Sequence, residues 1–292
     1  MALLAAVLVS ASGVAAPTDQ PAGRLFEYDR GKPLDVQIAS TRKTGGVLVR
    51  DLTYAAYDPQ QGRVAAYVVA PTQGSSFAGI LYFHWLGKPR GDRSEFLEEA
   101  VALASRGVVS VLIQGYFPWR LQPKDGVSDR RLVISQVIDA RRALDLLLSQ
   151  SGVDADRIAY VGHDYGAMYG AIVAGVDKRP RAYVLMAGMG NFADWSLKYW
   201  KETAAGGETA YRSALADVDP VRFIGDATPA ALFFQFSRQD IYIAEPVAKA
   251  FLARASEPKS AAWYDVEHDL RTHKADSDRR SWLAKHLSLI TN

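Results

Sequence analysis

Three residues of the 292-residue chain have the types and order for hydrolysis through a covalent step. Asp164 stands at the centre of Gly162-His163-Asp164-Tyr165-Gly166, Asp240 follows ALFFQFSRQ, and His268 follows AAWYDVE. A carboxylate is already anionic near neutral pH and attacks without help from a base. Its attack on a carboxylic ester gives a mixed anhydride, a poor intermediate. Its attack on a saturated carbon with a leaving group gives an ordinary alkyl ester. A histidine oriented by a second carboxylate can then activate water against the carbonyl of that ester. Two other readings of Asp164 stand beside this one: a base acting on water, and a cap at the start of a helix.

The glycines around Asp164 have a physical reason. A nucleophile at a tight strand-to-helix turn takes strained backbone angles, so its flanks must be small for strand and helix to meet. Gly162 and Gly166 supply this, and Ala167 and Gly170 continue the small face. Free N–H groups at the start of a helix favour negative charge, which supports an ionised Asp164 and an oxyanion equally. No G-x-S-x-G occurs elsewhere in the chain, so no serine stands ready in its place.

The elements that must position these residues alternate. GVLVRDLTYAAYD and RVAAYVVAP, split by the turn-rich DPQQG, read as an antiparallel hairpin. AGILYFHWLG and VVSVLIQG are continuous apolar runs, as in strands buried on both faces. Between them SEFLEEAVALASRG reads as a helix, with Ser94 as its cap and Gly107 as its stop. A long amphipathic helix over DRRLVISQVIDARRALDLLLSQ precedes the strand RIAYVG, and YGAMYGAIVAGV is a small-residue helix. AYVLMAG, TPAALFFQFS and SAAWYDVE complete the strands, with AEPVAKAFLARAS and SDRRSWLAKHLSLI as helices. This alternation predicts an α/β protein with a mostly parallel central sheet flanked by helices. The aromatic stretch from 191 to 225 breaks the rhythm and is expected to form a short cap over the carboxyl edge of the sheet, where such folds bind ligands. The intervals are read as a leader segment 1–16, an irregular arm 17–45 and one catalytic domain 46–292.

Over most of that last interval the chain resembles an α/β-hydrolase, and in its compact form it is similar to the dienelactone-hydrolase branch. FFQFSRQDIYIAEPVAKAF and EHDLRTHKADSDRRSWLAKHL resemble the acid and histidine blocks of that superfamily. GHDYG is similar to the elbow of another branch, the epoxide hydrolases and haloalkane dehalogenases, in which an aspartate attacks carbon. The resemblance implies the α/β-hydrolase fold, with Asp164 as nucleophile, Asp240 as acid and His268 as base. It also implies an oxyanion hole from the backbone N–H of Tyr165 and an N–H at Trp85 or Leu86 in FHWLG. Where the dehalogenase elbow has tryptophan, this chain has Tyr165.

The leaving group separates the substrate options. An epoxide needs a proton donor, for which Tyr116, Tyr199 and Tyr242 are candidates. A halide needs N–H donors, for which Trp85, Trp119, Trp195 and Trp200 are available. Tyr116, Trp119, Trp195, Tyr199 and Tyr242 are therefore the candidate pocket residues. His84 reads as structural. An esterase or lactonase with Asp164 as base, and a silent relative that only binds a ligand, remain the alternatives.

Bulk composition narrows the partners. A formal charge of +2, with Lys and Arg scattered, gives no footprint for nucleic acid. The spacing of His268 and His273 matches no metal-ligand set, and no phosphate loop or dinucleotide fingerprint occurs. No cofactor is expected, and the partner is a small-molecule substrate. The opening MALLAAVLVSASGVAAPTDQ has the apolar run and small residues of a signal peptide cut after Ala15 or Ala16, which implies export to the periplasm or secretion. Its apolar run is too short to span a bilayer.

Overall fold

A computed structural model describes residues 22–289. The proposed signal peptide lies outside these residues. Nine strands form one sheet in the order β1-β2-β3-β5-β4-β6-β7-β8-β9. They are β1 (Gln37–Thr44), β2 (Val47–Ala55), β3 (Arg63–Pro71), β4 (Phe77–Phe83), β5 (Val108–Ile113), β6 (Val153–His163), β7 (Ala182–Met186), β8 (Ala231–Ser237) and β9 (Lys259–Tyr264). The first three pair antiparallel, β3 joins β5 antiparallel, and from β5 to β9 every pairing is parallel. Connections between parallel neighbours need crossovers, and all the helices but the last provide them. They are α1 (Leu97–Ala104), α2 (Gly126–Leu148), α3 (Tyr165–Val176), α4 (Ala193–Tyr199), α5 (Glu208–Leu215), α6 (Glu245–Arg254) and α7 (His273–His286).

The apolar pattern explains the layers. β4, β5, β7 and β8 are buried along their whole length, as strands covered on both faces must be. One core layer packs under α2, α3 and α6, and the other under α1 and α7. Parallel pairing brings the carboxyl ends of β4 and β6 together, with Phe83 opposite Gly162. The ends of β8 and β9 meet likewise, with Ser237 opposite Tyr264. Those four ends carry the Trp85–Leu86 loop, Asp164, Asp240 and His268 to one edge of the sheet.

Three expectations change. The arm 17–45 is not irregular throughout, because 37–44 forms β1 and Phe26 is buried against Phe223. β1 is exposed along both faces, so QIASTRKT has none of the alternation that marks a half-buried strand. Ser94 does not cap α1. Its N–H bonds to Asp92 in a turn, and the helix starts three residues later. α7 begins at His273 rather than near Ser277, because the Thr272 hydroxyl accepts from the N–H groups of Lys274 and Ala275 and caps it there. The stretch from 191 to 225 forms α4, α5 and short 3-10 turns between β7 and β8. It is tied to α2 by the Arg130–Asp217 ion pair at 2.6 Å and by the Tyr211 hydroxyl on Asp129 at 2.7 Å.

Candidate active site

Asp164 has φ 58° and ψ −119° at the junction of β6 and α3. This left-handed region is costly for any residue with a Cβ. The surroundings enforce it. The Asp164 N–H donates to the Met186 carbonyl at 2.8 Å, and the Asp164 carbonyl accepts from Ala167 and Met168 at 3.0 Å. A Cβ on Gly162 would lie 2.3 Å from the Gly166 oxygen, and one on Gly166 would lie 2.2 Å from the Phe83 oxygen. Strand, helix and β4 therefore meet at these two glycines, and the Tyr160 hydroxyl locks the turn by donating to the Gly166 carbonyl at 2.7 Å.

His268 and Asp240 are joined at 2.7 Å through Nδ1 and Oδ2. The other carboxylate oxygen of Asp240 accepts from the N–H groups of Tyr242 and Ile243 at 2.8 and 2.9 Å. Burial opposes the charge on Asp240, but the His268 bond and charge and these two N–H groups outweigh it and hold the carboxyl below its ordinary value. An ionised Asp240 only accepts, so Nδ1 of His268 carries a proton, and in the neutral ring Nε2 presents the lone pair. That Nε2 lies 3.9 Å from Asp164 Oδ1, and all three side chains are at most 7 % exposed. For Asp164 burial is the larger influence. It raises the carboxyl above its ordinary value, against the pull of His268, the Leu86 N–H and His163. The helix start alone had suggested the opposite direction.

The Trp85–Leu86 peptide is set from both sides. The Trp85 carbonyl accepts from His84 Nδ1 at 2.8 Å and from the Trp119 indole at 2.8 Å. His84 Nε2 accepts from the Gly115 N–H at 2.9 Å, which makes Nδ1 the protonated nitrogen. Burial pushes this imidazole down to about 4, so it stays neutral. In a trans peptide C=O and N–H point opposite ways. The Leu86 N–H accordingly points at Asp164 and donates to Oδ2 at 2.9 Å. The Trp85 N–H instead donates to Glu95 Oε2 at 2.7 Å. Of the two residues considered for the second donor, Leu86 has the geometry and Trp85 does not. Tyr165 opens α3, and its N–H has no carbonyl of its own helix to bond.

A cavity of about 280 Å³ opens onto Asp164 and His268, walled by Trp85, Tyr165, Trp195, Tyr199, Trp200 and Tyr242. The Trp195 ring meets His268 edge-on at 5.9 Å, Tyr242 meets it at 4.9 Å, and Tyr199 and Tyr242 meet each other at 5.9 Å across the mouth. Tyr116 and Trp119 are not in this wall. The Tyr116 N–H bonds to Gln136 on the α2 side, and the Trp119 indole is spent on the Trp85 carbonyl. Residue type alone could not separate a pocket aromatic from one holding a loop.

Sequence reasoning missed His163 and Glu95, which join at 2.6 Å directly behind Asp164. His163 sits inside the elbow motif but on a stretch buried on both faces, so alternation carries no sign of its role. Glu95 directly follows the expected cap Ser94, and nothing in the local pattern marks it. Among the described residues no group of three or more His, Asp or Glu is arranged to hold a metal, and no helix is long and apolar enough to cross a membrane.

No family model and no curated protein matches the chain by sequence. Solved structures do match in shape. An acetyl xylan esterase from Paenibacillus sp. R4 has a TM-score of 0.71 at 19 % identity, covering 91 % of this chain and 92 % of its own. Acetyl xylan esterase 1 from Thermoanaerobacterium sp. JW/SL YS485 has 0.70 at 13 %, covering 90 % and 91 %. The glucuronoyl esterase from Solibacter usitatus has 0.67 at 12 %, covering 91 % of each chain. With the mixed nine-stranded sheet flanked by helices, these matches show the α/β-hydrolase fold expected from the sequence.

Proposed function

We propose that this protein is a hydrolase in which Asp164 attacks a small electrophile, an epoxide by preference, and His268 with Asp240 hydrolyses the resulting ester. The observation that carries the reading is the division of labour between the two oxygens of Asp164. Oδ2 is held by the Leu86 N–H, and Oδ1 faces Nε2 of His268. Oδ1 forms the bond to an epoxide carbon as the C–O bond breaks, and the departing oxygen takes a proton from Tyr199 or Tyr242. Oδ2 becomes the carbonyl oxygen of the ester. Water loses a proton to Nε2 and adds to the Asp164 carbonyl carbon, and the charge falls on the oxygen that the Leu86 N–H faces, with the Tyr165 N–H as the second donor of this proposal. Collapse breaks the bond to the substrate oxygen, which takes the proton of the added hydroxyl, so the diol leaves and the carboxylate is restored, and the His268 proton returns to the tyrosine. The apolar, aromatic wall of a 280 Å³ cavity suits a small apolar substrate.

The test is single turnover in H₂¹⁸O with epoxides, haloalkanes and activated esters, followed by peptide mass spectrometry. The expected result is label in the Asp164 carboxylate, and in His268→Gln a covalent adduct on the peptide containing Asp164. Label confined to product over repeated single turnovers would overturn the nucleophile assignment. A second reading draws on the esterase titles of the structural neighbours. In it Asp164 is a base in an esterase or lactonase, and product alone carries the label. Absence of turnover, with ligand binding unaltered in Asp164→Ala and His268→Ala, would leave a binding protein. The cofactor-free chemistry, the catalytic interval 46–292 and export belong to the same proposal.

A further inference from the structure

Behind the proposed catalytic residues lies an ionisable pair that the chemistry above does not use. His163 is fully buried. Its Nδ1 faces Glu95 Oε1 at 2.6 Å, and its Nε2 faces the main-chain carbonyl of His268 at 3.0 Å. A carbonyl can only accept, so Nε2 must carry a proton. Glu95 also accepts the Trp85 N–H on its second oxygen, as a carboxylate does. With Glu95 ionised Nδ1 donates as well, and the ring is an imidazolium clasped by a carboxylate. Trp85 stacks on it, parallel within 1° at 5.2 Å, and the His268 ring lies beside both, 5.7 Å from His163 and 6.4 Å from Trp85. The charged or titratable groups facing it are Glu95 from the turn before α1, His84 from the end of β4, Asp164 from the elbow and His268 from the β9–α7 loop.

Three separate loops end on this pair. The Trp85–Leu86 loop is held through the Trp85 N–H, the elbow through His163 itself, and the histidine loop through the His268 carbonyl. We propose that His163 and Glu95 are the positioning pair of the site, one ion pair that holds the histidine base and the Leu86 N–H donor in register with Asp164. The role of the register rests on the function proposed above, whereas the protonation and the holding of His268 do not. Burial opposes the charge on His163, but Glu95, Asp164 and the His268 carbonyl outweigh it and raise its affinity for a proton. The sign follows. The clasp is fully present below the ordinary histidine range and is lost as pH rises through the raised value, so catalysis has an alkaline limb that belongs to His163.

The test uses the full-length protein with ¹⁵N-labelled histidine. Wild type should keep both His163 nitrogens protonated to a higher pH than an ordinary histidine, assigned by their loss in His163→Gln. A lone-pair nitrogen on that ring at or below the ordinary histidine value would overturn the charge assignment, with no variant needed to reach the result. In Glu95→Gln the downfield proton between His268 Nδ1 and Asp240 should broaden or shift. With a substrate in hand, kcat should fall about 10- to 100-fold, as for other groups that orient catalytic side chains. KM should change by less than about threefold, and the alkaline limb should disappear. An unchanged proton signal together with unchanged kcat would overturn the positioning role. If wild type turns over nothing, the proposed function fails, and the two spectroscopic readouts still decide whether the pair holds His268.

Discussion

Leu86 N–H donates to Oδ2 of Asp164 at 2.9 Å, leaving Oδ1 3.9 Å from Nε2 of His268. The two oxygens of one carboxylate thus have different neighbours before any substrate arrives. A cap would satisfy its own helix, but Asp164 makes no side-chain bond to α3. Its hydrogen bond runs across to the loop after β4.

Asp240→Asn tests the order of the steps. An asparagine that turns its amide toward His268 donates where the carboxylate accepted, and the ring takes the wrong tautomer. Turnover should fall by about 10³- to 10⁴-fold. The attack by Asp164 needs no base, so the covalent ester should still form in one burst, visible by intact mass. Loss of the burst together with turnover would assign His268 and Asp240 to the first step.

Asp164→Ser tests how general the surrounding framework is. His268, Asp240 and the Leu86 N–H stay in place, and a hydroxyl now faces His268 Nε2. We expect hydrolysis of p-nitrophenyl acetate to rise above that of Asp164→Ala by about 10²-fold, within the range general-base catalysis supplies. Equal rates in the two variants would show that the framework cannot activate a hydroxyl.

The strand–helix alternation and the order of Asp164, Asp240 and His268 were legible because buried strands and a glycine-framed turn leave strong local patterns. Partnerships across loops were not. Trp119 and Trp195 are both aromatics in irregular chain, yet one pins the Trp85 carbonyl and the other walls the cavity. Nothing in the local pattern marks Glu95 until the elbow folds against it and His163 takes its carboxylate. β1 was hidden for the opposite reason, because a strand exposed on both faces has no side to mark as apolar.

Gly166→Ala should cost stability even though the methyl touches no reacting atom. The added carbon would sit 2.2 Å from the Phe83 oxygen and 2.9 Å from the His84 oxygen, both backbone. Neither can move without shifting β4. A loss of about 3 kcal/mol or more, or roughly 10 °C in Tm, is expected. A Tm within about 2 °C of wild type would mean that the turn is looser than its contacts imply.

Asp139, wholly buried in α2, should make the fold less stable at higher pH. Burial pushes its carboxyl up to about 7, against the Tyr57 N–H bond. The folded chain therefore holds a proton that the unfolded chain releases above its ordinary value of 3.8. The associated stability is fully present below that value and is lost as pH rises through about 7. Asp139→Asn can keep the Tyr57 bond and cannot titrate. Urea melts at pH 5 and pH 8 should show wild type losing stability between them and the variant losing less, with a gain for the variant of about 1–3 kcal/mol at pH 8. Parallel pH slopes would place the titration elsewhere, with Asp219 at about 7 as the next group to test.

The backbone of Asp164, at φ 58°, lies in a region that suits glycine and burdens an aspartate, and its carboxyl is buried as well. Two penalties thus fall on the residue proposed to do the chemistry. Asp164→Gly relieves both, and it should melt at a higher temperature while catalysing nothing. A screen for thermal robustness alone would accordingly select against the active enzyme. Only a screen that also demands turnover would keep the aspartate.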